Sequence, residues 1–335
     1  MKYFAWQCGI WGALIGMVLV VSACGGGEPS NQIAQNPSPI AQNPSNSDTF
    51  YFNEEPVIAV VPQISEESFH VEYPTVYRVG RGFAMLYSAI GDGFRWRIKL
   101  AYSSDGVNWV RWGNIFDERV LPFDRRYAFP YVTVNSSGVF EAYFAVEPSG
   151  GVTYTELWKA TSSDGFLWSE PQLQFSDNMV LDPVVLDSGR RILYTSRNNL
   201  NKDVVKQRVL GAQGWGPVQV VYDPPSGIYT LGNLLYRGKN IIVVHSGQYW
   251  RAKCFDSSGM LVDAAAAPIL TSLLSGTKWD AYRYGPSFFM RSDGGYNVYY
   301  NGIAGYRQEL YGEIGVAFIG STWFDDKLSI GSCAY

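Results

Sequence analysis

The chain has 335 residues, 16% of them aromatic and only 17% charged, with 35 glycines and a formal net charge of −4. That balance excludes a nucleic-acid partner, because phosphate recognition needs a clustered basic face. No amphipathic helical period runs beyond a turn or two, so the chain reads as a β protein long enough for a large core.

In chain order, residues 1–23 read as a targeting signal rather than as structure. Lys2 supplies a positive start, and residues 4–21 are largely apolar. Gln7, Gly9, Gly12 and Gly16 interrupt that stretch, which argues against a transmembrane helix. Ser22 and Ala23 then precede Cys24, a pattern that resembles the lipobox of bacterial lipoproteins. The resemblance implies cleavage before Cys24 and lipidation of its thiol, hence an extracytoplasmic protein anchored in the cell envelope, periplasmic or at the cell surface. Residues 24–49 follow as a disordered tether, with the near-duplicate IAQNPS at 33–38 and 40–45 and no buriable face. The folded domain is expected over residues 50–335.

That domain repeats. LAYSSDGVNW at 100–109 recurs as WKATSSDGFLW at 158–168, the two Asp-Gly pairs lying 59 residues apart. Asp-Gly suits a tight turn: Gly accepts positive φ and the Asp carboxylate accepts nearby backbone N–H groups. Asp105 and Asp164 are therefore read as structural. A longer period runs through five short segments, EYPTV (72–76), AFPYV (128–132), LDPVV (181–185), LGNLL (231–235) and YGPSF (284–288). Their anchor positions are 56, 53, 50 and 53 residues apart. After each comes a Gly-containing turn and a second strand, at 83–88, 140–145, 192–196, 241–245 and 296–301. A third strand follows in each, at 97–103, 156–161, 203–209, 250–255 and 313–319. Units of about fifty residues with four short strands predict an all-β fold, a five-bladed β-propeller of four-stranded antiparallel blades.

Once the signal is removed and Cys24 is lipidated, Cys254 and Cys333 remain, either as a disulfide or as two buried thiols. In a propeller the first strands of all blades line one channel, so residues at their starts converge at one mouth. The candidate acids there are Glu72 and Asp182. Candidate binding residues are His70 and Tyr73 beside Glu72, Arg126 and Tyr127 in the second blade, His245 in the fourth, and Arg283 and Tyr284 in the fifth. Arg126 and Arg283 either pair with Asp124 and Asp280 as blade-linking ion pairs or grip an anionic sugar or phosphate by bidentate contacts. Trp96, Tyr249, Trp250 and Tyr306 are further candidates for stacking on sugar faces. Cys-x-x-Cys spacing, phosphate-binding Gly loops and GxSxG elbows are absent, and two His are too few for a His-rich zinc enzyme. No cofactor is expected, and a metal ion in the central channel is left open.

The strand–SSDGxxW–inner-strand pattern with Asp182-Pro183 resembles the five-bladed propeller glycosidases of the arabinanase and β-xylosidase type, with the fructosidases and mannoside phosphorylases as relatives. The resemblance covers residues 50 to the C-terminus. It implies a carbohydrate partner, a monomer, and hydrolysis by a base or nucleophile from blade one, a supporting Asp from blade two and an acid Glu from blade three. This chain has Tyr73, Phe129 and Asp182 at those three positions, with Glu72 one residue out of step. On a regular strand that offset points Glu72 to the other face. Two functions follow from the sequence: a glycoside hydrolase in which Glu72 and Asp182 are the catalytic carboxyls, or a non-catalytic carbohydrate-binding or scaffold propeller.

Overall fold

The computed structural model describes residues 50–91, 95–116, 125–151, 153–224, 227–228, 230–271, 279–303 and 312–334. Cys24 and its tether, Asp124 and Tyr306 lie outside the described residues. A short strand β1 (Phe50–Phe52) opens the domain. The first antiparallel group is β2 (His70–Val79), β3 (Gly82–Ile90), β4 (Arg97–Ser103) and β5 (Val110–Asn114). The second is β6 (Arg126–Val134), β7 (Phe140–Glu147), β8 (Glu156–Ser162) and β9 (Gln172–Ser176).

The third group comprises β10 (Leu181–Leu186), β11 (Arg191–Arg197) and β12 (Asp203–Gly211), with β13 (Gly214–Trp215) and β14 (Gln219–Tyr222) sharing the outer edge. The fourth is β15 (Thr230–Tyr236), β16 (Lys239–Ser246) and β17 (Tyr249–Phe255), edged by β18 (Leu261–Asp263) and β19 (Leu270–Thr271). The last is β20 (Tyr282–Met290), β21 (Tyr296–Ile303) and β22 (Gly312–Ile319), with β1 as its outer strand. The second and third strands expected from the sequence all fall within or within one residue of the observed ones. The part played by the three-residue β1 was not foreseen.

The fold is an all-β propeller of four-stranded antiparallel sheets. The first strands contact one another in a closed cycle, β2 to β6, β6 to β10, β10 to β15, β15 to β20 and β20 back to β2. Between neighbouring groups lie five apolar layers. Leu86, Ile98, Phe144 and Val146 fill the first, Tyr143, Leu157, Ile192 and Tyr194 the second, and Leu193, Val205, Ile242 and Val244 the third. Val243, Trp250, Val298 and Tyr300 fill the fourth, and Val71, Tyr87, Ile314 and Val316 the fifth. Each sheet is thus buried on both faces, which explains why its strands read as apolar runs rather than strict alternation.

The Asp-Gly turns are built as the sequence implies. Asp105 Oδ1 accepts the N–H groups of Val107 and Asn108, each at 2.8 Å, and Gly106 takes φ +80°. Asp164 does the same for Phe166 at 2.8 Å and Leu167 at 2.9 Å. These hydrogen bonds to the charged form hold both carboxyls below their ordinary range, against the opposing pull of burial that is largest at Asp105. Each turn also receives a tyrosine from the adjoining group: Tyr299 Oη donates to Gly106 O and Tyr77 Oη to Gly165 O, both at 2.8 Å. Both turns follow the ends of third strands, the side opposite the starts of the first strands. Cys254 and Cys333 form a disulfide that pins the C-terminal segment to β17 across a sequence separation of 79.

Asp105→Ala removes two backbone acceptor contacts and is expected to cost about 1–2 kcal/mol in denaturant unfolding while leaving ligand binding unchanged. Cys333→Ser opens a long covalent loop and is expected to cost roughly 2–5 kcal/mol by the same measurement. A loss in ligand affinity from the first variant, or no destabilisation from the second, would contradict these assignments.

Candidate functional site

The mouth is organised by a backbone irregularity at the residue before each anchor proline. Tyr73, Phe129, Asp182 and Gly285 take φ of 55°, 57°, 46° and 61°, and each precedes a proline. The ladder between first and second strands shifts register at all four places. Proline has no N–H to lose from the ladder, so a bulge is where a strand tolerates it. Left-handed φ is costly for Tyr, Phe and Asp, of order 1–3 kcal/mol each, so the surroundings must hold it.

They do so partly through neighbouring groups. Tyr73 N donates to Asn301 Oδ1 at 2.6 Å, Phe129 N to Ser88 Oγ at 2.9 Å, and Gly285 N to Thr230 Oγ1 at 2.9 Å. At Gly285, a Cβ would also run into the Asn301 amide. The fourth group has no such shift: β15 and β16 pair without interruption from Thr230 to Tyr236. Thr195, at the position on β11 that Ser88 holds on β3, faces that regular strand, and its hydroxyl has no partner among the described residues.

The bulges turn three side chains toward the axis. Tyr73, Phe129 and Asp182 line a central cavity of about 90 Å³ together with Pro74, Pro130, Pro183 and Pro286. Asp182 is 7% exposed and its Oδ2 has no hydrogen-bond partner among the described residues. Burial pushes its carboxyl well above the usual carboxylate range, so it is neutral where an exposed aspartate is ionised. Its second orphan neighbour in the channel is Asn233, whose Oδ1 is also unpaired while its Nδ2 reaches Asn240 at 3.3 Å.

Aromatic rings surround this opening. Tyr73 packs edge-on to Phe129 at 4.3 Å between centroids, with Tyr284 at 6.0 Å and Trp96 at 6.3 Å. Phe129 meets Tyr154 at 5.3 Å, and Tyr282 lies 5.7 Å from Tyr284. Burial, reinforced by the Glu72 carboxylate, raises the Tyr73 phenol far above its ordinary value, so it serves as a hydrogen-bond donor.

Glu72 is 4% exposed but does not line the cavity. Its Oε1 lies 2.9 Å from His70 Nδ1, which also lies 2.9 Å from the Gly312 N–H. A Cβ on Gly312 would collide with the Glu72 carboxyl, and the Tyr284 hydroxyl bonds to it. One Nδ1 lone pair cannot accept from Gly312 while the same nitrogen donates to Glu72. Nδ1 thus serves either the Glu72 carboxyl or the Gly312 N–H, and not both at once. The cluster sits on the parallel bridge His70–Gly312, one of the links between the first and last groups.

The other sequence candidates are placed as follows. His245 is fully buried beside the Tyr282 hydroxyl at 3.3 Å, and burial lowers its pKa to about 4, keeping it neutral. Arg283 is buried in a pair with Asp280 at 2.8 Å, stacked on Phe52. Arg126 pairs with Glu147 at 3.2 Å, and Tyr127 is buried under the Arg97 guanidinium. Trp250 is buried with its Nε1 on the Arg283 carbonyl, whereas Tyr249 stands exposed. Tyr154, Asn301 and Glu147 were not singled out from sequence. Glu147 ends β7 as His245 nearly ends β16, so the same strand-end rule would have found it.

No family model matches the chain, and no curated protein matches it in sequence. Solved structures do resemble it in fold. A thermostable family-43 glycoside hydrolase superposes with TM-score 0.58 at 13% identity, covering 73% of this chain and 88% of that one. An N-acetylgalactosamine deacetylase from F. plautii, in complex with blood group B trisaccharide, gives 0.58 at 15%, covering 80% and 95%. An α-L-arabinofuranosidase from Podospora anserina, in complex with cellotriose, gives 0.57 at 12%, covering 79% and 94%. The fold is therefore that of the glycosidase-like propellers.

A raised Asp182 pKa makes the folded state bind a proton that the unfolded chain releases near pH 4. That contribution to stability is present below the unfolded value and is lost as pH rises toward the folded one. Asp182→Asn, neutral at every pH, is expected to remove this decline, so the variant gains on the parent from about pH 5 upward. Parallel stability–pH curves for the two proteins would contradict a buried neutral acid.

Proposed function

We propose that this chain binds carbohydrate at the mouth of a five-bladed propeller, as a monomeric, non-catalytic recognition domain held at the cell envelope by a lipid on Cys24. The observation that carries the reading is the composition of the mouth. Tyr73, Phe129, Tyr154, Tyr282 and Trp96 gather there, and Asp182 is the one acid lining the cavity among the described residues. Sugar rings present apolar C–H faces that stack on aromatic side chains, and their hydroxyls pair with phenols and acids. Hydrolysis by the usual route needs two carboxyls flanking one bond, about 5–10 Å apart. Glu72 instead faces His70 and Gly312. Two fold neighbours were solved with oligosaccharides, which agrees with a carbohydrate ligand.

Hydrolysis is the second reading, favoured by one feature: a carboxyl kept protonated at the mouth is what a general acid requires. Calorimetric titration with an oligosaccharide panel separates the two when run beside reducing-sugar release. The binding reading predicts saturable binding without cleavage, with Phe129→Ala weakening it by about tenfold. Cleavage that Asp182→Asn and Glu72→Gln each abolish, with affinity retained, would replace it by the hydrolase reading.

The disulfide between Cys254 and Cys333 is in keeping with an oxidising compartment outside the cytoplasm. The native mature protein is expected to partition into detergent and to carry acyl chains on Cys24, and Cys24→Ser to abolish both. Mass spectrometry that finds an intact Met1 on the mature protein would reject the anchor.

A further inference from the structure

Strand direction decides which face of the ring meets the N-terminal segment. β22 starts at Gly312, beside His70 at the mouth, and ends at Ile319 on the opposite face. β1 pairs with it antiparallel, Phe50 opposite Ile319, so the chain leading from Cys24 joins the domain on the face away from the mouth. Cys24 stands 26 residues before Phe50, and residues 25–49 hold no Lys or Arg.

The hairpins that join first to second strands form the centre of that face. Arg78, Val134, Leu235 and Met290 each stand two residues past a cavity-lining residue, Val76, Val132, Asn233 and Phe288. The pleat therefore puts them on the channel side of their strands, around its far opening. Val134, Leu235 and Met290 are 46%, 48% and 52% exposed although apolar. Arg78, Arg81 and Arg190 are exposed beside them.

The acids nearest these hairpins are already paired. Asp187 meets Arg191 and Asp293 meets Arg291, each at 3.0 Å, and Asp325 meets Arg237 at 2.9 Å. Arg78, Arg81 and Arg190 have no acid partner among the described residues, and Arg78 lies instead 4.9 Å from the Phe83 ring centroid. Asp105, Asp164 and Asp256 lie further out, at the ends of third strands, each accepting from backbone within its own turn. The centre of this face is thus cationic and apolar, in a chain whose formal net charge is −4. An anionic surface repels such a chain as a whole and attracts it only in this orientation, by about fivefold in binding per arginine. A basic patch is also the second signal that turns weak lipid anchoring into stable attachment.

We propose that this face docks on an anionic phospholipid surface, the one that receives the lipid on Cys24, and so holds the glycan mouth pointing away from the bilayer. This rests on the anchor reading of Cys24 and adds an interaction surface to it.

The test uses the mature lipidated protein in vesicles of equimolar phosphatidylcholine and phosphatidylglycerol. A fluorophore on Ser292→Cys, between β20 and β21, reports this face, and one on Leu200→Cys, between β11 and β12, reports the mouth side. Nitroxide-bearing lipids quench whichever label meets the bilayer. The label at Ser292 should be quenched about threefold or more over the label at Leu200. Arg81→Glu combined with Arg190→Glu should remove most of that difference, as should vesicles of phosphatidylcholine alone. Should the double variant fail to fold in a thermal melt, the lipid comparison decides. Equal quenching of the two labels, stronger quenching at Leu200, or the same contrast in both vesicle types overturns the docking face, while flotation with the vesicles leaves the anchor standing. Protein that does not float with them overturns both.

Discussion

Everything at the functional end of this molecule depends on four residues held at positive φ immediately before a proline. A strand that kept its pleat through Glu72-Tyr73-Pro74 would direct alternate side chains to opposite faces. The bulge breaks that alternation, swings Tyr73, Phe129 and Asp182 toward the axis and leaves Glu72 against β22. The strain at two of the three non-glycine positions is offset by contacts that cross between groups, from Tyr73 to Asn301 and from Phe129 to Ser88. Site and ring are therefore one construction: the bonds that hold the mouth residues in place also join one group to the next.

The far side of the ring is held by different means. There the Asp105 and Asp164 turns close on themselves and receive tyrosines from adjoining groups, so each turn is a plug as well as a hairpin. Closure of the ring falls to β1 on the edge of β22 and to the His70–Gly312 bridge. The disulfide adds a covalent restraint at the fourth group. Fold neighbours with hydrolase and deacetylase activities are an instance of one scaffold serving several chemistries.

Much of this was legible in the sequence because local chemistry dictates it. Asp-Gly with a nearby Ser can close only a few kinds of turn, and prolines at near-regular spacing marked the first strands. The offset of Glu72 from its proline already signalled that it faces away from the other anchors. What stayed hidden depends on neighbours distant in sequence. Whether Arg283 grips a ligand or Asp280 is decided by Phe52, more than two hundred residues earlier. His245 ends an apolar strand, and only the packing of Tyr282 over it shows that the imidazole is buried. Positive φ at Tyr73 and Phe129 has no mark in residue type, since neither favours it, and Tyr154 reaches Phe129 from a loop without pattern.

The central claim is that the mouth presents a neutral buried acid inside an aromatic collar, rather than a pair of ionised carboxylates. It is tested most directly by following the Asp182 carboxyl carbon by NMR as a function of pH. The account predicts a protonated shift that persists through neutral pH. A midpoint in the ordinary range near 4 would show an ionised aspartate at the mouth and contradict it.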